Sequence, residues 1–219
     1  MGNFDGVHLG HRSVIDLARG QGRLGVVTFE PHPRQFFAPS GPTFRLMNPE
    51  ARANRLAKLD VADLYELPFD AALAGLSPEG FAADVLVAGL GVRHVVVGAD
   101  FCFGKGRSGS VQDLQALGAR FGFGVTVAPL LAVNGTEVSS SAIRVALTEG
   151  RPRDAAAMLG HWHRIEGEVI HGEKRGRQLG YPTANMSVDG LHLPRLGVYA
   201  VKVDILTGPQ AGSHIGAAR

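Results

Sequence analysis

Residues 1–19 read MGNFDGVHLGHRSVIDLAR, a glycine-rich turn that runs directly into a helical pattern. Beyond His11 the apolar residues Val14, Ile15, Leu17 and Ala18 recur at the spacing of one helix face. A glycine turn feeding a helix N-terminus suits an anion, because unpaired backbone N–H groups and the positive end of the helix dipole face the same point. His8 and His11 stand three residues apart around Gly10, so they share a face if the helix begins at this turn. Histidine is apt there because its charge is tunable near neutral pH. Capping or packing at a helix start also explains such a pair. The spacing is short for a helical zinc pair, and no cysteine or carboxylate cluster accompanies it.

Working outward, short apolar strands alternate with helical patterns. LGVVTF (24–29), DLYEL (63–67), RHVVVG (93–98) and GVTVAPL (124–130) read as strands. Helices are expected over 48–59, from Asn48 as N-cap with Pro49 and Glu50, and over 77–90, from Ser77 with Pro78 and Glu79. Ser110 and Asp113 have capping-box spacing ahead of VQDLQALGARFG, and SSSAIRVALTEG closes on Gly150. The alternation predicts an α/β fold, a parallel sheet with helices on both faces and ligands at the carboxyl ends of its strands. From about residue 164 the texture changes. RIEGEVIHG and GVYAVKVDI read as strands around a polar stretch, GEKRGRQLGYPTANMS, which suggests the start of an all-β domain. Residues 151–163 are expected to be the hinge.

The totals limit the possibilities. Of 219 residues, 45% are hydrophobic and 19% charged, a composition for a packed globular protein rather than a disordered one. The formal charge of +2, from 22 basic and 20 acidic residues, argues against general nucleic-acid or membrane-surface binding. Small molecules are the expected partners. Cys102 is the only cysteine and forms no intrachain disulfide. With no apolar run near the ~20 residues of a membrane span and no signal-peptide pattern, a cytoplasmic location is expected.

GNFDGVHLGH (2–11) resembles the His-x-Gly-His signature of nucleotidylyltransferases, in the form found in bifunctional riboflavin kinase/FAD synthetases. TFEPHP (28–33), VVVGADFCFGKGRSG (95–109), VSSSAIR (138–144), AAAMLGHWHRIEGEV (155–169) and GRQLGYPTAN (176–185) resemble further blocks of that family, in its order. The resemblance implies a Rossmann-like parallel-sheet nucleotidylyltransferase domain over 1–155. An incomplete β-barrel riboflavin kinase domain follows over 156–219. It implies that the first module joins FMN to ATP, giving FAD and pyrophosphate by direct attack on the α-phosphorus. The second would phosphorylate riboflavin from ATP, with Mg²⁺ as the accompanying ion. Carried onto these positions, it makes His8, His11 and Arg144 catalytic, and Gly2, Asn3, Gly10, Ser139 and Ser140 binders of ATP phosphate. His32, Asp100, Phe101 and Phe103 would meet the flavin. Gly176, Arg177, Thr183 and Asn185 would form the kinase nucleotide loop, with Thr183 and Asn185 on Mg²⁺. Cys102 stands where the family often has arginine.

The family pattern also has a strand immediately before GNFDG and a kinase continuation leading to a general-base glutamate. TGPQAGSHIGAAR (207–219) reads as divergent from that continuation. The chain is therefore expected to be short at both ends, to lack kinase activity, and to need a restored first strand for efficient adenylylation. Two other readings stand beside this one: a nucleotidylyltransferase with a different acceptor, and an inactive fragment that binds flavin or nucleotide.

Overall fold

In the computed structural model, which describes residues 1–171 and 183–219, the motif turn leads into helix α1 (Leu9–Ala18) and then strand β1 (Gly25–Glu30). Helices α2 (Pro33–Phe37) and α3 (Pro49–Ala57) precede β2 (Asp63–Pro68), which pairs in parallel with β1 and sets Thr28 opposite Glu66. After α4 (Ala71–Gly75), α5 (Pro78–Gly80) continues as wider π-helical turns over Phe81–Gly89. β3 (His94–Gly98) and β4 (Gly124–Ala128) form a second parallel pair, joined by α6 (Val111–Phe121). A short hairpin of β5 (Ala132–Val133) and β6 (Thr136–Glu137) leads to α7 (Ser140–Thr148) and α8 (Pro152–Leu159).

The caps explain where the helices begin. The Asn48 side chain accepts the Ala51 N–H at 2.8 Å at the start of α3, and Ser110 and Asp113 cap α6 reciprocally. Gly122 ends α6 in the left-handed conformation at φ 82°. α2 and α4 go beyond the elements read from the sequence, and each opens on a local cap: His32 accepts the Arg34 N–H and Asp70 the Leu73 N–H. The stretch read as a hinge contains α8, whose Ala155, Met158 and Leu159 are buried against Ile143 and Leu147 of α7. A division at residue 155 falls inside that helix.

The inner edges of β1 and β3 face each other, and residues 1 and 2 lie between them. The Met1 amino group donates to the Val96 carbonyl at 2.9 Å and the Gly2 N–H to the Val27 carbonyl at 3.1 Å. A cleft of about 390 Å³ adjoins them, with Ile15, Val26, Leu86 and Val95 in its lining.

Beyond α8 come two antiparallel pairs: β7 (Val169–Ile170) with β8 (Asn185–Met186), and β9 (Tyr199–Ile205) with β10 (Gly212–Ala218). The tail read as divergent therefore supplies a full strand to the β9 hairpin. Among the described residues these pairs remain separate two-stranded sheets. No helix among those residues is long and apolar enough to cross a membrane.

Candidate active site

The motif turn is conformationally strained. Phe4, Gly6 and Val7 have φ of 51°, 88° and 41°. Only the glycine takes such a value without cost, and for β-branched valine it is unfavourable. A Cβ at Gly6 would also lie 2.8 Å from Leu46 Cδ1, so the residue is doubly required to be glycine. The turn is held by its surroundings. Phe4 and Val7 are buried beside Ile15, Val26 and Leu56, and the Thr28 hydroxyl donates to the Asn3 carbonyl at 3.2 Å. Strain of this kind, over-determined by packing, is common where a backbone is shaped for a ligand.

The turn delivers His8 and His11 as a matched pair. Each backbone N–H donates to the other residue's Nδ1 at 3.3 Å, forming a capping box made of two histidines. Their rings stack 3.6 Å apart at 19°. Because both Nδ1 atoms accept, the proton of each neutral ring resides on Nε2. Burial, then the Arg144 charge, pushes His8 down to about 4. Burial, then the neighbouring His8, holds His11 well below its usual value. At neutral pH the pair thus offers two uncharged Nε2–H donors. A Cβ at Gly10 would lie 3.1 Å from the His8 ring, so the small residue lets that ring fold back over the helix start.

Arg144, one turn into α7, reaches the same place. Its Nη2 donates to Asp5 Oδ2 at 2.6 Å and its Nε to the Phe44 carbonyl at 2.6 Å. Asp5 Oδ1 accepts the Leu46 N–H at 2.8 Å. Burial raises the Asp5 carboxyl, and the charge and hydrogen bond of Arg144 oppose that rise. Ser139 caps α7 by accepting the Ala142 N–H, and the Ser140 hydroxyl donates to the Asp5 carbonyl at 2.8 Å. Both serines stand at the turn with their side chains already engaged in holding it.

A second charged network surrounds His32 at the end of β1. Arg45 donates to both oxygens of Glu30, at 2.9 and 2.5 Å, and to Gln35. Arg52 contacts Glu30 and Glu66. Burial works to raise Glu30, but Arg45 and then Arg52 hold it below its usual value. His32 caps α2 through Nδ1, packs edge-on to Phe44 and is pushed down to about 4 by burial, then by Arg45, Arg144 and Arg52. Asp5, Glu30, Phe44, Arg45, Arg52 and Glu66 were not foreseen as parts of the site. The TFEPHP block was the available signal for Glu30, and the GNFDGVHLGH block for Asp5.

Comparison with known proteins fits this geometry. The FAD synthetase family profile matches residues 1–142 and the riboflavin kinase profile residues 159–217. The bifunctional riboflavin kinase/FMN adenylyltransferase of Listeria monocytogenes is 41% identical over 225 residues, covering all of this chain and 70% of that protein. The chain belongs to this bifunctional family. The Escherichia coli enzyme of the same name is 38% identical over 93% of this chain and 66% of its own length. A Streptococcus pneumoniae structure, named a macrolide-efflux protein, superposes with a TM-score of 0.84 at 31% identity. It covers 99% of this chain and 71% of its own. The chain thus spans about two thirds of the E. coli relative's length. The riboflavin kinase match runs to residue 217, inside β10, so the tail that seemed divergent belongs to the family's second module, and the ground for expecting no kinase activity falls away.

Within the FAD synthetase module, the loop after β3 carries the remaining expected flavin residues. Asp100 is exposed, and its Oδ1 would sit 2.9 Å from a Cβ at Gly98. Phe101 is half-buried and stacks on Phe103 at 5.8 Å. Phe103 itself is 6% exposed and packs in the core with Phe81 and Leu114. A further aromatic group, unforeseen, gathers Phe29, Phe36, Phe37 and Phe69 edge-to-face at the carboxyl ends of β1 and β2. Cys102 is exposed, with its thiol 3.7 Å from the Asp100 carbonyl. Gly2 gives its N–H to Val27, while Asn3 is exposed at the turn. In the riboflavin kinase module Thr183 and Asn185 are exposed, the latter opening β8, and Gly176 and Arg177 lie outside the described residues.

Proposed function

We propose that the motif turn, Arg144 and the start of α7 form an adenylyl-transfer site that converts FMN and ATP to FAD and pyrophosphate. An FMN phosphate oxygen bonds to the α-phosphorus. The bond from that phosphorus to the oxygen bridging to the β-phosphate breaks, and pyrophosphate leaves with the electron pair. The observation that carries this reading is the reciprocally capped histidine pair. Two neutral Nε2–H donors beside a partly buried guanidinium suit an oxyanion whose charge grows during transfer. Helix geometry leaves the N–H groups of Leu9 and Gly10 without intrahelical acceptors, adding donors for the same phosphates. Gly2 and Asn3 flank the approach, and Ser139 and Ser140 shape the phosphate end. Because Ser139, Ser140 and Asp5 are committed to the scaffold, their part is to aim Arg144 and the turn.

The isoalloxazine ring is assigned to the carboxyl ends of the strands. There Phe101, Asp100, His32 and the Phe36/Phe37/Phe69 group offer apolar faces and polar edges. Phe103, being core, supports Phe101 from beneath.

Among the described residues no cluster of three or more His, Cys, Asp or Glu side chains is placed to hold a metal. We read the Mg²⁺ of the reaction as entering with the nucleotide, where phosphate oxygens and water satisfy it. In the second module Thr183 and Asn185 present exposed oxygen donors that suit the same hard ion, and it would neutralise phosphate charge there. We read the two parallel pairs as halves of one Rossmann-like sheet in a module spanning 1–155. The antiparallel pairs are read as parts of the barrel-type kinase module spanning 156–219. A cytoplasmic location goes with this reading.

The test is incubation with FMN, ATP and Mg²⁺, following FAD by chromatography and pyrophosphate by a coupled assay. Both products in equal amounts support the proposal. A folded chain that binds FMN without turnover would instead be the inert fragment. Turnover only with a non-flavin phosphate acceptor would reassign the substrate.

A further inference from the structure

The strap Phe44–Met47 is gripped from two sides. On one side stand the groups of the adenylyl-transfer site: Arg144 Nε on the Phe44 carbonyl and Asp5 on the Leu46 N–H. On the other stands a segment of the riboflavin kinase module. Leu191 pairs with Arg45 as a parallel bridge and is buried at 5% exposure. The His192 N–H donates to the Arg45 carbonyl at 2.8 Å. The same segment also reaches the helix that carries Arg144. His192 Nε2 lies 3.2 Å from the Arg144 carbonyl and 3.1 Å from the Thr148 hydroxyl, and the Arg195 N–H donates to the Leu147 carbonyl at 2.9 Å. A carbonyl only accepts, so the Nε2 that faces Arg144 carries the imidazole proton.

We propose that the Leu191–Arg195 segment of the kinase module is a positioning element of the adenylyl-transfer site, with His192 holding the backbone of Arg144 and the Phe44–Met47 strap in register with the histidine turn. The inference rests on the reading of Arg144 as a phosphate-binding group. His192 touches no substrate in this account; its ring acts through Arg144, while its backbone N–H holds the strap and is kept in every side-chain variant. Small displacements of such a group are costly, on the order of a hundredfold for 1 Å. The consequence is that the two modules are not independent: FAD formation requires the second module to be docked.

The experiment uses the full chain with FMN, ATP and Mg²⁺. His192→Ala is expected to lower kcat for FAD formation about tenfold, less than the ~hundredfold of a full 1 Å shift, with the KM for FMN unchanged. Glutamine places its amide nitrogen where Nε2 was and asparagine where Nδ1 was. His192→Gln is therefore expected to recover most of the activity and His192→Asn little, a contrast that remains readable if the alanine variant folds poorly. In an Arg144→Ala background, His192→Ala is expected to cost nothing further. Equal activity of the Gln and Asn variants, or a full additional loss in the Arg144→Ala background, overturns the proposal. If Arg144→Ala alone leaves FAD formation intact, the underlying assignment of Arg144 fails instead.

Discussion

Asp5→Asn isolates the buried ion pair beneath the motif turn. The Asp5 side chain is 5% exposed and that of Arg144 14%. Asparagine keeps a carbonyl oxygen for the Leu46 N–H, so that bond survives. The oxygen that lay 2.6 Å from Arg144 Nη2 is replaced by an amide NH₂ facing a cation. Breaking a buried pair by removing one partner costs about 3–5 kcal/mol. Arg144 retains the Phe44 carbonyl and stands 5.4 Å from the Phe44 ring, so the low end, about 3 kcal/mol, is expected. At roughly 2–4 °C per kcal/mol for a chain of this size, the melting temperature drops by about 6–12 °C. Calorimetry or circular dichroism measures this directly. Burial already outweighs the pull of Arg144 on the Asp5 carboxyl, so the pair as a unit is not strongly stabilising. The double variant Asp5→Asn/Arg144→Met, lacking both charges, is therefore expected to melt higher than Asp5→Asn alone. A melting temperature for Asp5→Asn within about 2 °C of the parent, or a double variant showing summed losses, would refute the reasoning.

His8→Ala and His11→Ala are each expected to lower FAD formation on the order of 10²–10³-fold, as for loss of one oxyanion donor, with about 1 kcal/mol lost from the α1 cap; near-parental turnover would remove the pair from the mechanism. His8 and His32 sit at about 4 in the folded chain against an ordinary 6.5, so the unfolded chain takes up protons first as the pH falls. Stability is therefore expected to decline between pH 6.5 and 4, on the order of 3 kcal/mol per histidine at most; urea midpoints at several pH values measure the slope, and an unchanged slope in His8→Gln/His32→Gln would contradict this assignment. Thr183→Ala is expected to leave FAD formation within about twofold, since the docking segment lies at Leu191–Arg195, while lowering riboflavin phosphorylation more than about tenfold through its Mg²⁺ and phosphate contacts. An equal loss of both activities would extend the coupling between modules beyond that segment.

The elements legible in the sequence were those with local signals. The Asn48-Pro49-Glu50 start of α3 and the Ser110/Asp113 box of α6 appear as read, because caps act within one turn. α8 was missed because its first residues carry no side-chain cap. Its apolar face, Ala155, Met158 and Leu159, is too short a pattern to stand out from a connector. The histidine turn was read as an anion site from its glycines and helix start, but the state of its rings was not legible. Their neutrality comes from burial and from Arg144, which is distant in sequence. Asp5 escaped notice for the same reason: its partner lies 139 residues away, and sequence spacing carries no sign of it. The Arg45, Arg52, Glu30 and Glu66 network is likewise assembled from three separate elements and the strap. Phe103 shows the converse limit, since an aromatic residue in a loop motif reads alike whether it meets a ligand or the core, and here it is core.

The most direct measurement is a single-turnover reaction of this chain with ATP labelled at the α-phosphate, FMN and Mg²⁺. The account predicts that the label passes into FAD with one pyrophosphate released per FAD, and that none is retained on the protein. A folded chain that transfers no label to FMN, or that traps it covalently, would contradict the assignment of His8, His11 and Arg144 to direct adenylyl transfer.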